Sequence, residues 1–198
     1  MGELVDEMLA AYEQADGNTR AERAERAAWV AALGWPESGW GFFSGHSIGA
    51  AWDDLRRAFI DGSYLAAILV GQAFLENLLA GLLEWQKESP GRRAGLAQIL
   101  KRTYDLGWLT DDEFARLDAL RRLRNPYAHY RGLRRSESLT RRAMETGEAP
   151  LTLVERDAYG VVEALYHLVN RHPFALGPIV YPADEGPTVH PDQVQLPL

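Results

Sequence analysis

The sequence predicts an all-α protein, an antiparallel bundle of about four main helices with an N-terminal helical extension and a Pro-rich C-terminal tail. Apolar residues recur at three- and four-residue spacing over long segments, most clearly 63–88 and 151–172, the period of one helix face. Helix caps and breakers punctuate these segments. No alternating strand pattern, internal repeat or Gly-rich phosphate loop is apparent in the chain. Three regions follow: an extension with an aromatic loop at 1–47, the bundle at 48–172, and an extended tail at 173–198.

Residues 3–33 read as one or two surface helices, with Leu4, Met8, Leu9 and Tyr12 on one face and Gly34 as the stop. The Gly- and aromatic-rich loop 34–47 is expected to pack on the bundle as a lid rather than to stack bases, because apolar area seeks burial first. Helices at 48–60 and 63–88 follow; the second carries Leu65, Ile68, Leu69, Leu75, Leu78, Leu79, Leu82 and Leu83 and is the predicted core helix, stopped by Pro90-Gly91. A shorter helix with Leu96, Ile99, Leu100 and Tyr104 runs to Gly107. Thr110-Asp111-Asp112-Glu113 is a capping box opening the next helix, with Phe114, Leu117 and Leu120 inward. After a polar stretch at 136–150, a final helix at 151–172 shows a wide apolar stripe at positions 154, 158, 161, 162, 165, 168 and 169. Six prolines among the last 26 residues exclude an ordinary helix there, so the tail is expected to lie extended on the surface or in a partner's groove.

Composition narrows the chemistry. The chain has no cysteine, which removes disulfides, thiolate metal sites and a cysteine nucleophile together, and suits a reducing cytoplasm. The acidic N-terminus lacks the pattern of a secretory signal, and the uncharged stretch from Gly62 to Leu75 falls short of a membrane span, so no membrane partner is expected. Histidines 46, 129, 167, 172 and 190 are scattered without metal-ligand spacing, so no metal or other cofactor is expected.

The net charge of −7 argues against wholesale coating of nucleic acid, but its distribution is uneven. From Arg116 to Arg142 nine arginines face only Asp118 and Glu137, a local balance of +7. Such a run is either a solvated face paired with acidic neighbours or a surface for phosphates. Within it lies Arg124-Asn125-Pro126-Tyr127-Ala128-His129-Tyr130. Pro126 lacks an N–H and disfavours the α conformation in Asn125, so the helix from Thr110 should kink or stop there, and Asn-Pro can cap and begin a new helical segment. In an unbroken helix the side chains of residues 124 and 129 would diverge by about 140°. A break can bring guanidinium, imidazole and a helix N-terminus to one concave spot suited to a phosphodiester. His129 can exchange a proton near neutrality, and RNA carries its own nucleophile in the 2′-OH.

Residues 120–131 resemble the HEPN superfamily (higher eukaryotes and prokaryotes nucleotide-binding domains), all-α bundles marked by an Arg followed by four to six residues and a His, commonly with a polar residue after the Arg. Here Arg124 is followed by Asn125, and His129 closes the motif after four intervening residues. The segment from Tyr64 to Leu79 also looks like the family's paired core helix, and the resemblance in helix order covers about residues 48–172. Many members are metal-independent ribonucleases, including toxins of toxin–antitoxin pairs and phage-defence effectors, and they usually act as dimers with two motifs lining one cleft. The resemblance implies that Arg124 holds the scissile phosphate, His129 transfers protons and Asn125 positions substrate or His129, leaving a 2′,3′-cyclic phosphate. Arg121, Arg122, Arg131, Arg134 and Arg135 are the candidate RNA contacts, and Glu76 and Tyr130 are candidates to orient the site. Expected partners are RNA, a second copy of the chain, and an antitoxin or defence-system protein. The other reading is a HEPN-like bundle without catalysis, serving as a dimeric binding or scaffolding partner.

Overall fold

The computed structural model describes residues 2–34, 40–42, 46–88, 91, 93–124, 127, 138–171 and 175–178. Seven helices lie among them: α1 (Gly2–Ala32), α2 (His46–Ile60), α3 (Tyr64–Trp85), α4 (Leu96–Asp105), α5 (Asp111–Leu123), α6 (Leu139–Thr146) and α7 (Pro150–Arg171). The fold is all-α. A small antiparallel ladder, β1 (Trp40–Phe42) with β2 (Ala175–Pro178), sets Trp40 opposite Pro178 and Phe42 opposite Ala175. Strands of three and four residues are too short to show an alternating pattern, which is why none was apparent. The remainder of the aromatic loop (35–39 and 43–45) and of the tail (172–174 and 179–198) lies outside the described residues.

α3 is the central element, packing against α2, α7 and α4, while α5 and α6 both pack on α7. Its apolar stripe is used as the spacing predicts: Ile68, Leu75, Leu78, Leu79, Leu82 and Leu83 are buried, whereas Leu65 stays exposed and Leu69 half-buried. At 22 residues α3 is long and apolar enough to cross a membrane by length and composition, contrary to the sequence expectation. Glu76 and Asn77 interrupt the apolar run without ending the helix, so the relevant length is 64–85 rather than 62–75. In this fold α3 spends that apolar surface on the bundle core. It stops at Trp85, before Pro90, through a turn in which Lys87 has φ 60.

Two aromatic clusters organise the core. Trp52 meets Phe74 at 4.9 Å and Tyr166 at 4.7 Å between ring centroids, joining α2, α3 and α7. Trp29, Phe59 and Tyr159 form the second, with centroids 4.6–5.2 Å apart. Trp29 and the buried Val30 make the C-terminal half of α1 part of the bundle. Arg26 fastens it further, donating from Nε to the Ile60 carbonyl at 2.8 Å and from its guanidinium to the Tyr64 hydroxyl at 3.3 Å. Tyr64 in turn donates to Glu155 on α7 at 2.5 Å.

The α5 capping box forms as expected: the Thr110 hydroxyl accepts from the Glu113 N–H, and the Glu113 carboxylate accepts from the Thr110 N–H at 2.8 Å. Leu117 and Leu120 are buried and Phe114 half-buried against Tyr104. α6 was not foreseen in the polar stretch; Ser138 caps its start and Gly147, at φ 72, ends it. All seven apolar positions predicted for the last helix are buried on α7.

Candidate nucleic-acid interface

α5 ends at Leu123 with Arg124 in the capping position, just before Asn125-Pro126, as the proline requires. The Tyr127 N–H donates to the Arg124 carbonyl at 2.9 Å. That amide is therefore committed to the backbone and does not point at an anion, unlike the array of unbonded N–H groups expected of a fresh helix start. Inside the bundle, the buried Gln72 side chain donates to the Leu120 carbonyl, taking up one acceptor that the end of α5 leaves over.

The arginines of the block divide by what they touch. Arg121 donates to Asp118 at 2.7 Å and Arg122 pairs with the same carboxylate. Burial opposes ionisation of Asp118, but these two guanidinium groups outweigh it and hold its carboxyl below the usual range. Arg141 pairs with Glu145 at 2.5 Å along the exposed face of α6. Arg142 grips the largely buried Asp157 with two bonds of 2.6 and 2.8 Å. Arg116 and Arg124 are exposed, and among the described residues neither side chain makes a hydrogen bond or ion pair. The reading of a solvated face paired with acidic neighbours thus holds for Arg121, Arg122, Arg141 and Arg142, while Arg116 and Arg124 have no partner among the described residues.

Of the other candidates, Glu76 sits half-buried on α3 one turn after Gln72, and no ion pair joins it to Arg124. Asn125, His129, Tyr130, Arg131, Arg134 and Arg135 lie outside the described residues. His167 is exposed on α7.

Sequence reasoning missed the cluster that anchors this corner. The Tyr127 hydroxyl donates to Asp157 at 2.6 Å, and Arg142 reaches both the carboxylate and, at 3.3 Å, the Tyr127 oxygen. The residue two positions before His129 is thereby tied to α6 and α7 at once. The signal was present: Asp157 lies beside Ala158 and between Val154 and Val161 in the apolar stripe of α7. A carboxylate on a core-facing stripe needs a cationic partner. A groove of about 660 Å³ opens beside the cluster, lined by Phe114, Ala115, Ala119 and Leu123 together with the ion-paired Asp118, Arg122 and Arg142.

Burial, then the bond to Asp157, pushes the Tyr127 hydroxyl well above the usual tyrosine range. Burial and the bond to Glu155 push Tyr64 up to about 12, and burial pushes Tyr166 up to about 12. In the unfolded chain these groups ionise near about pH 10. Between about pH 10 and pH 12 the unfolded state therefore binds fewer protons than the folded one, so stability falls as pH rises through that window. The expected result is a urea midpoint that is level below about pH 9.5 and declines steadily above pH 10, with a shallower decline in Tyr127→Phe. A midpoint unchanged to pH 11.5 would contradict the tyrosine linkage.

The chain matches no protein-family model, no curated protein and no solved structure.

Proposed function

We propose that this chain is a HEPN-like, metal-independent endoribonuclease, acting in the cytoplasm as a homodimer in a toxin or phage-defence role. The observation that carries the reading is Arg124. It is exposed and has no partner among the described residues, at the abrupt end of a helix whose neighbouring Arg121 and Arg122 are both ion-paired. An exposed arginine without a partner among the described residues suits a phosphate clamp, because its fork of donors matches two phosphate oxygens. The reaction needs no external nucleophile. The 2′-OH attacks the adjacent phosphorus as His129 of one copy removes its proton; the P–O5′ bond breaks, and the histidine of the second copy protonates the departing oxygen. Arg124 offsets the charge gathering on the phosphate, and Asn125 orients the substrate or His129. The anchoring of Tyr127 by Asp157 and Arg142 supports the same reading, since it ties a residue within the Arg124–His129 segment to α6 and α7.

The expected result is cleavage of single-stranded RNA in excess EDTA, leaving 2′,3′-cyclic phosphate ends, and reduced at least about 100-fold by either Arg124→Ala or His129→Ala. RNA ends indistinguishable between wild type and both variants would reject the nuclease. A non-catalytic dimeric scaffold would then be the better account.

A further inference from the structure

We propose that Gln72, on the core helix α3, is a positioning residue that fixes where α5 ends and so where Arg124 stands. The helices α2, α3, α4 and α6 each end on an N–H that donates to the carbonyl four residues back, as Leu106 does to Arg102 at 3.1 Å. α5 ends differently. The Arg124 N–H donates to the Arg122 carbonyl, only two residues back. Its ordinary partner, the Leu120 carbonyl, accepts from the Gln72 side-chain amide instead.

Two residues of different kinds produce this exchange of partners. In a continued helix the Arg122 carbonyl would receive the N–H of residue 126, and proline has none. Pro126 therefore leaves the Arg122 carbonyl open to the Arg124 N–H. Gln72 occupies the carbonyl that would otherwise hold Arg124 in the helical ladder. Proline acts only along its own chain, whereas the Gln72 bond ties the last turn of α5 to α3, 48 residues away.

The surroundings of Gln72 argue against a role in stability alone. It is 3 % exposed, on the buried face of α3 with Ile68 and Leu75, and its Oε1 has no hydrogen-bond partner among the described residues. A buried amide satisfied on one side only is less favourable there than an apolar side chain of the same length. What the amide adds is direction: it selects one backbone carbonyl, one helical turn before the exposed Arg124. The consequence for catalysis rests on the phosphate-clamp reading of Arg124, but the cap itself can be read without RNA.

Gln72→Met keeps the length and helix preference of the side chain and removes its donor. With the Leu120 carbonyl free, the Arg124 N–H should return to it. Hydrogen exchange of that amide, followed by NMR, should slow at least about tenfold while the melting temperature holds or rises. RNA cleavage should fall at least about tenfold in kcat with the shape of its pH profile unchanged, because the clamp is displaced and the proton-transfer group is not. Gln72→Glu is the conservative control. Burial favours its neutral carboxyl, which keeps an O–H to donate, so at about pH 5 its Arg124 amide should exchange as in wild type. Gln72→Leu repeats the test should the methionine variant not fold. Unchanged Arg124 exchange in the folded apolar variant would overturn the cap, whatever the RNA assay reads. Slowed exchange with kcat within about threefold of wild type would overturn the positioning role. Slowed exchange beside a wild type that cleaves no RNA would reject the nuclease and leave the cap standing.

Discussion

Asp157→Ala is expected to lower the unfolding free energy by about 3–5 kcal/mol, because it strips a bidentate partner from Arg142 and leaves that guanidinium and the Tyr127 hydroxyl without their acceptor. Arg142 is about a quarter exposed and can recover some hydration, which places the loss toward the lower end of that range. The damage should not be confined to stability. Tyr127 is held to α7 through this carboxylate, two positions before His129 in the sequence, so the RNA cleavage we propose should fall even at temperatures where the variant remains folded. Replacing the pair together, Asp157→Leu with Arg142→Met, removes both charges and should restore most of the stability. Because Tyr127 stays without its acceptor, cleavage should not return with it. Chemical unfolding of the three proteins beside their activity checks this. A single-variant loss under about 1 kcal/mol would show that the cluster is a surface pair rather than an anchor.

The contrast between fold and site explains what a sequence discloses here. Periodicity placed the helices because burial acts on every turn: the positions chosen on α7 are all buried, and the Thr110–Glu113 box caps α5. Local backbone chemistry also placed the end of α5, since Pro126 acts on its immediate neighbours. Interactions across the chain were less legible. Arg142 and Asp157 lie fifteen residues apart on different helices, and Gln72 meets a carbonyl 48 residues away. Neither spacing has a local signature; only the polar residue on an apolar stripe gives it away. Charge counting had a similar limit, because a local +7 does not reveal which guanidinium groups are already spent on Asp118, Glu145 and Asp157. α6 was hidden for another reason: its eight residues bury no side chain fully, so no apolar stripe marks it.

The same logic predicts opposite outcomes for two glycines within helices. At Gly71, on the buried face of α3, an added Cβ would stand 2.8 Å from Val161, 3.1 Å from Leu165 and 3.3 Å from Leu55, all at side-chain carbons. Here α3 packs directly against α2 and α7. At Gly17, on α1, nothing lies within 4 Å of the same added atom. Both substitutions gain about 1 kcal/mol of helix propensity on replacing glycine by alanine. Gly17→Ala should keep that gain. Gly71→Ala should lose more than it gains, by about 1 kcal/mol net, since three helices must separate by tenths of an ångström. Gly71→Leu should cost about 3 kcal/mol, because the extra carbons have no space among Leu55, Val161 and Leu165. Melting curves of the three variants order them: Gly17→Ala above wild type, Gly71→Ala below it, and Gly71→Leu lowest. A Gly71→Leu protein as stable as wild type would mean that α3 does not pass α7 at this distance, and the central packing of the bundle would have to be redrawn.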